Sequence, residues 1–432
     1  MVRDFRRSNG HLGRARGSVI PAAIKAAKAK LAAVRRDEQG NIAVAVVLLL
    51  VPLMLSVGMA VDSANMERRR ENVQAAVDSA AMEIALNLNS GLDDAQLQAL
   101  GDKFFQSNLQ PDPANSNPNP GSFYYLGFTT DADGTQHLSA KADYAYSNLI
   151  PHNFSGADKG TTLHARTTIS ASIGEDACVL ALNQTASRAL QAGGNTNITM
   201  AGCVLASNSS ATDALYVGGS GTISADCVQS SGGIVATAGL TTVCAQNREN
   251  AWRLPDPFAD LVEPVPPVLY PNPSKSDTVV HPGRYSNLTL SGTKTLQPGL
   301  YYIEGSLTIK GSITGTGVTI FMADGGITVN GNASLSLSAP ETGDYAGMLF
   351  WSARSNTSSN TFNGNGATDL NGFLYFYSGD VNYTGNNGTT STCLRIVANT
   401  IEMSGSSLMK SDCTAELGGR EAKVTGPLYY SQ

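Results

Sequence analysis

The chain has 432 residues, 44 of them Gly, and only 15% are charged, a balance that argues against a long helical or coiled-coil protein and for a turn-rich β protein of more than one domain. The net charge of −6 hides an asymmetry: residues 1–40 carry ten Lys/Arg against three Asp/Glu, which leaves 19 basic and 32 acidic residues for the remainder. The basic end suits an anionic membrane surface, and the acidic remainder excludes nucleic acid as a partner.

The first element is a basic cytoplasmic head, residues 1–36. Within it, residues 22–36 (AAIKAAKAKLAAVRR) read either as a basic helix on the inner leaflet or as a disordered tail. Ile42 to Val61 then form an uncharged run of twenty, which at about 1.5 Å per residue crosses a hydrocarbon layer of roughly 30 Å as one helix. Pro52 is tolerated there because lipid-embedded helices re-satisfy the freed carbonyl. Ten upstream basic residues against Arg68, Arg69 and Arg70 downstream predict a cytoplasmic N-terminus and an exported C-terminus, hence a single-pass inner-membrane protein with a periplasmic or cell-surface domain. A cleaved signal peptide is the rival reading. The long head and the lack of an Ala-x-Ala site at Val61-Asp62-Ser63-Ala64 favour a retained anchor.

Beyond the membrane, Val73, Ala76, Val77, Ala80, Ile84 and Leu88 recur at helical spacing, so the helix is expected to continue to about residue 89. Three features of residues 35–90 carry a family resemblance: the basic, acidic and Gly lead of Arg35 to Gly40, the apolar run closing on Val61-Asp62, and the stretch Gln74-Ala-Ala-Val-Asp-Ser-Ala-Ala81. This segment resembles the N-terminal part of the TadE/TadG-like proteins of Tad (Flp, tight-adherence) pilus systems. The resemblance implies an inner-membrane protein with pilus or assembly-machinery partners, and it assigns residues 37–107 as the TadG-like N-terminal segment. Ala45 stands where prepilin-type pseudopilins carry Glu, so prepilin-peptidase cleavage is not implied. The Asp-x-Ser-x-Ser metal site of some relatives has no counterpart in this chain, and no bound metal or other cofactor is implied.

A Pro/Asn-rich linker (108–121) leads into three alternating runs, Phe123 to Thr129, His137 to Tyr146 and Thr162 to Ile173. They predict a small antiparallel sheet over 122–174, packed under the long helix as a small α+β, pseudopilin-like region. Asp131-Ala-Asp-Gly134 reads as a hairpin turn rather than a calcium loop, because the remaining ligands are missing.

From about residue 175 to 432 the chain repeats itself. An apolar-x-x-x-Gly template, usually apolar-x-apolar-x-Gly, starts at Leu190, Leu215, Val235, Leu288, Leu307, Ile327, Phe362, Val381 and Ile401, mostly about twenty residues apart. A Pro-rich excursion (254–273) and an insertion near 349–360 interrupt it. Short strands with Gly at the corners and a period near twenty predict a parallel β-solenoid, in which stacked turns bury one apolar column. The fold class is therefore mainly β, with an N-terminal transmembrane helix extended beyond the membrane.

All six cysteines (178, 203, 227, 244, 393 and 413) lie downstream of the apolar run, which favours an oxidising compartment. Neighbouring turns sit about 4.8 Å apart, within disulfide reach. The repeat register predicts Cys393 with Cys413, Cys178 with Cys203 and Cys227 with Cys244. Zinc is not expected without Cys-x-x-Cys pairs.

No His-Glu-x-x-His, Gly-x-Ser-x-Gly or phosphate-loop motif occurs, so no catalytic residue is assigned. Aromatic residues concentrate at 345–383, where Trp351, Phe373, Tyr375 and Tyr377 are candidates for a protein or surface-polysaccharide contact. The competing reading is that one set fills the solenoid and the other packs beneath the 349–360 insertion. The leading functional expectation is a non-enzymatic structural or assembly component of a Tad-type pilus. The alternatives are a surface adhesin or carbohydrate-binding protein unrelated to pili, and a β-helix polysaccharide lyase or hydrolase.

Overall fold

The computed structural model of the chain describes residues 41–111, 121–132, 134–147, 160–237, 239–244, 246–363, 368–385, 390–391, 393–410 and 417–431. The basic head, and with it the expected inner-leaflet helix, lies outside the described residues. The chain divides into two compact units, residues 1–69 with 146–161, and residues 70–145 with 162–432.

In the first unit, helix α1 (Asn41–Asn87) begins with the apolar run. It is the one helix among the described residues long and apolar enough to cross a membrane. Its side chains there are bare: Val47, Leu48, Leu49, Leu53 and Met54 are all more than 60% exposed. Such a surface is unstable in water and natural in lipid, so the helix fits a single-pass membrane anchor. At the end of the run Asp62 is buried and accepts a hydrogen bond from the Tyr146 hydroxyl at 3.0 Å.

The second unit begins with the polar continuation of α1. Val73, Ala76, Val77, Ala80 and Ile84 form its buried stripe, as their spacing predicts, whereas Leu88 falls just past the helix end and is half-buried. Helix α2 (Asp94–Asn108) follows, started by a capping box in which Asp93 and Gln96 satisfy each other's free backbone N–H groups. Strands β1 (Gly121–Thr130) and β2 (Gln136–Ser147) pair antiparallel through the expected hairpin turn at Asp131. Strand β3 (Gly160–Ala181) joins them and is long because it serves two structures. Its first part belongs to the small sheet. Its last residues, from Ala177, form the first strand of a solenoid turn.

The solenoid has about nine turns of parallel strands arranged on three faces. Its apolar column is continuous. On one face Leu290, Ile309, Val329, Phe362, Tyr383, Met403, Ala192 and Val217 lie in register from turn to turn, and all are buried. Corner glycines behave as the repeat requires. Gly292 has φ +72°, and a Cβ on Gly311 of the next turn would run into the Gly292 carbonyl oxygen.

Three features depart from the sequence reading. The repeat template is off by one at Val235, where Leu215 pairs with Ile234, and by two at Phe362, where Asn360 is the residue that pairs with Val381. The turns also do not stack in chain order. Residues 279–410 form six consecutive turns, and the early turns, 177–242, are added after them: Ile396 pairs with Val179 and Ile401 with Leu190. Residues 243–278 therefore return along about eight turn spacings, roughly 38 Å, a distance that a dozen extended residues cover. Finally, the chain end is no solenoid turn. Lys423–Ser431 pairs antiparallel with β3 and becomes an edge of the small sheet.

The returning segment caps the stack at both ends. Arg248 bridges Gln229 on the last turn, and Leu269 bridges Arg284 on the first. At this end, on the second turn, Lys294 occupies an inward position and is only 1% exposed. Its ammonium donates to the carbonyls of Ser274, Lys275 and Asp277, which offsets the cost of burying the charge and ties the cap across the open end of the column.

Candidate interaction surface

The aromatic cluster lies on the middle face of the solenoid, where the strands Val318–Met322, Met348–Ser352, Thr368–Phe376 and Cys393–Ala398 run side by side. Strand alternation sends Ile320, Phe350, Leu374 and Ile396 into the apolar column and Phe321, Trp351, Phe373, Tyr375 and Val397 outward. Trp351 is in register with both Phe321 and Tyr375. On a bare solenoid these outward residues would make an aromatic ladder in solvent.

They are covered instead. The returning segment lays Leu254 and Phe258 on this face, joined by Leu417, Ala422 and Val424 from the chain end, to make a second apolar cluster outside the column. The Phe258 ring meets Phe373 and Tyr375 edge-on, with centroids 4.7 and 4.8 Å away. Such contacts add about 0.5–1.5 kcal/mol each to simple burial. Of the four residues predicted as a contact surface, Trp351, Phe373 and Tyr375 are thus at most 1% exposed, and only Tyr377, at 39%, reaches solvent. The covering element is the Pro-rich segment and not, as the sequence suggested, the 349–360 insertion. That insertion supplies the clamp.

The clamp is Arg354. Its guanidinium donates to Asp256 Oδ2 at 2.6 Å and to the Phe258 carbonyl at 2.6 Å, while its backbone N–H donates to Glu263 Oε1 at 2.8 Å. Tyr375 donates its hydroxyl to the same Asp256 oxygen at 2.8 Å. Burial, and then the Asp256 carboxylate, push the Tyr375 phenol far above its ordinary range, so it stays a donor at any physiological pH. Arg354 also lies over the Tyr377 ring, 4.8 Å from its centroid. Sequence reading missed Asp256, Phe258 and Arg354, yet one signal was present. MLFWS and CLRIVA are apolar at almost every position, the mark of strands covered on both faces.

The cysteines follow the stack. Cys178 and Cys203, on adjacent turns, are disulfide-bonded with Cα atoms 5.4 Å apart, and Cys227 and Cys244 with Cα atoms 5.3 Å apart. Cys393 is also disulfide-bonded, and Cys413, its expected partner, lies outside the described residues. Arg395, 2% exposed, directs its guanidinium at Cys178 Sγ, 2.8 Å away. Among the described residues no group of three or more His, Cys, Asp or Glu is placed to hold a metal ion.

Residues 40–82 match the model of the family described as putative Flp pilus-assembly TadE/G-like. The match covers the apolar part of α1 and most of its polar continuation. No curated protein and no solved structure matches the chain, so the small sheet has no demonstrated likeness to pseudopilins.

Proposed function

We propose that this chain is a non-enzymatic structural or assembly component of a Tad (Flp) type pilus, anchored in the inner membrane with its N-terminus in the cytoplasm. Its solenoid is exported to the periplasm or cell surface, for contact with pilus subunits, assembly proteins or a surface. The observation that carries this reading is the family match over residues 40–82, on a helix whose first part is bare and apolar and whose continuation is built into the folded unit. The basic excess of residues 1–40 supports the orientation. Disulfides within the solenoid support an oxidising destination.

Deleting the gene and scoring surface piliation and attachment tests the proposal. Loss of pili, restored by the full chain, is the expected result, and unaltered pili with reduced attachment would favour the adhesin reading instead. Catalysis has a separate test. Purified full-length protein is expected to leave a panel of acidic polysaccharides intact, and measurable turnover would overturn the non-enzymatic assignment.

A further inference from the structure

Past the Arg354 clamp the returning segment continues as Leu261-Val-Glu-Pro-Val-Pro-Pro-Val-Leu-Tyr270. Burial along it has a period of three. Pro264 is buried and Leu261 and Pro267 are half-buried, whereas Val262, Val265 and Val268 stand 77%, 86% and 77% exposed, with Leu269 and Tyr270 also exposed. Three residues per turn is the period of the polyproline II helix, and the prolines at 264, 266 and 267 hold their own φ angles in that region. One edge therefore faces the protein while a ridge of three valines faces out, and Val262 to Val268 spans about 19 Å at 3.1 Å per residue.

Folding does not draw on this ridge being apolar, since among the described residues its three valines stay largely uncovered. The ridge is nevertheless tethered at both ends. Arg354 secures its start through Phe258 and Glu263, and the Leu269–Arg284 bridge secures its end. A ligand ordered in advance loses little conformational entropy when it binds. Its charge is one-sided as well: with Asp256 neutralised by Arg354, the exposed Asp260 and Glu263 remain, and residues 254–274 contain no Lys or Arg.

The geometry points to Val262–Val268 as a preformed polyproline-type ligand for a partner protein with an aromatic-floored groove and a basic rim. Aromatic grooves are the surfaces that recognise such ridges, and the basic rim is the complement of the acidic flank. The inference goes beyond the pilus reading and does not depend on it.

The test uses the full chain in its own membrane, with the photo-crosslinking residue benzoylphenylalanine placed singly at Val262, Val265 or Val268. Thr289 and Thr308, outward on a different face, serve as control positions. The expected result is one discrete adduct from the three ridge positions and none from the controls, with the crosslinked partner peptide carrying Trp, Tyr or Phe. A synthetic peptide of residues 261–273 should compete it away. Val265→Asp should reduce the adduct from positions 262 and 268 at least about tenfold, and Asp260→Lys several-fold at low salt, both with the two disulfides intact. Absence of an adduct, the same adduct from the controls, a second copy of this chain as the captured species, or a crosslink into a partner segment without aromatic residues would each overturn the proposal.

Discussion

Two faces of one solenoid, built on the same backbone and the same register, differ in what lies outside them. On the face carrying Leu288–Leu290, Leu307–Ile309 and Ile327–Val329, each strand puts a threonine outward, and Thr289, Thr308, Thr328 and Thr361 line up turn after turn. On the middle face the outward positions hold Phe321, Trp351, Phe373 and Tyr375. The first face is finished when the turns have stacked. The second is stable only once the returning segment and the chain end have covered it, so its stability depends on residues far away in sequence.

The largest test of that contrast is Phe258→Ala. Removing a fully buried ring from the cover is expected to destabilise the fold by about 3–5 kcal/mol, read as a lower urea midpoint, and to make Tyr375 accessible to iodination. Next is the double change Cys178→Ser with Cys203→Ser. It opens a link between turns that are 25 residues apart and should lower stability by about 2–4 kcal/mol, measured in the same titration.

A third test concerns the capped end of the column. Burial, with Tyr270 nearby, pushes the Tyr285 phenol up to about 12, against about 10 in an unfolded chain. Its contribution to stability is whole below pH about 10 and is lost as the pH climbs through 12, because only the unfolded chain releases the proton readily in that window. Denaturant midpoints should therefore fall between pH 10 and 12, and Tyr285→Phe should flatten part of that fall; an unchanged pH profile would remove the phenol from the account. The smallest expected effect is on the open face. Thr308→Ala should alter stability by no more than about 0.5 kcal/mol, since a surface side chain with no cover loses little. A loss comparable to that of Phe258→Ala would mean that the two faces do not differ as described.

Much of this was legible residue by residue. The twenty uncharged residues from Ile42, the helical stripe from Val73 to Ile84, the Gly-cornered repeat and the pairing of Cys178 with Cys203 all follow from local spacing, and each stands in the structure. The aromatic cluster was visible as composition but not as a buried layer. Its cover, Leu254 and Phe258, sits more than ninety residues before Trp351 in a segment whose prolines read as a linker. Lys294 is a similar case. In the strand pattern it occupies a core position, and only the carbonyls of Ser274, Lys275 and Asp277 explain how a charge can lie there.

The amino-acid sequence by itself determined the anchor, the strand alternation and the shape of a single turn, because those depend on periods of two, three and a half, or about twenty residues that neighbouring side chains impose. The order of the turns was decided only in three dimensions. Every turn offers the same kind of backbone edge to whichever turn comes next, so local pattern cannot say that Ala181 follows Ala398 in the stack. That choice falls to the long returning segment, which reaches from one end to the other, caps both, and brings Phe258 and Arg354 together on a face that no short-range signal marks as covered.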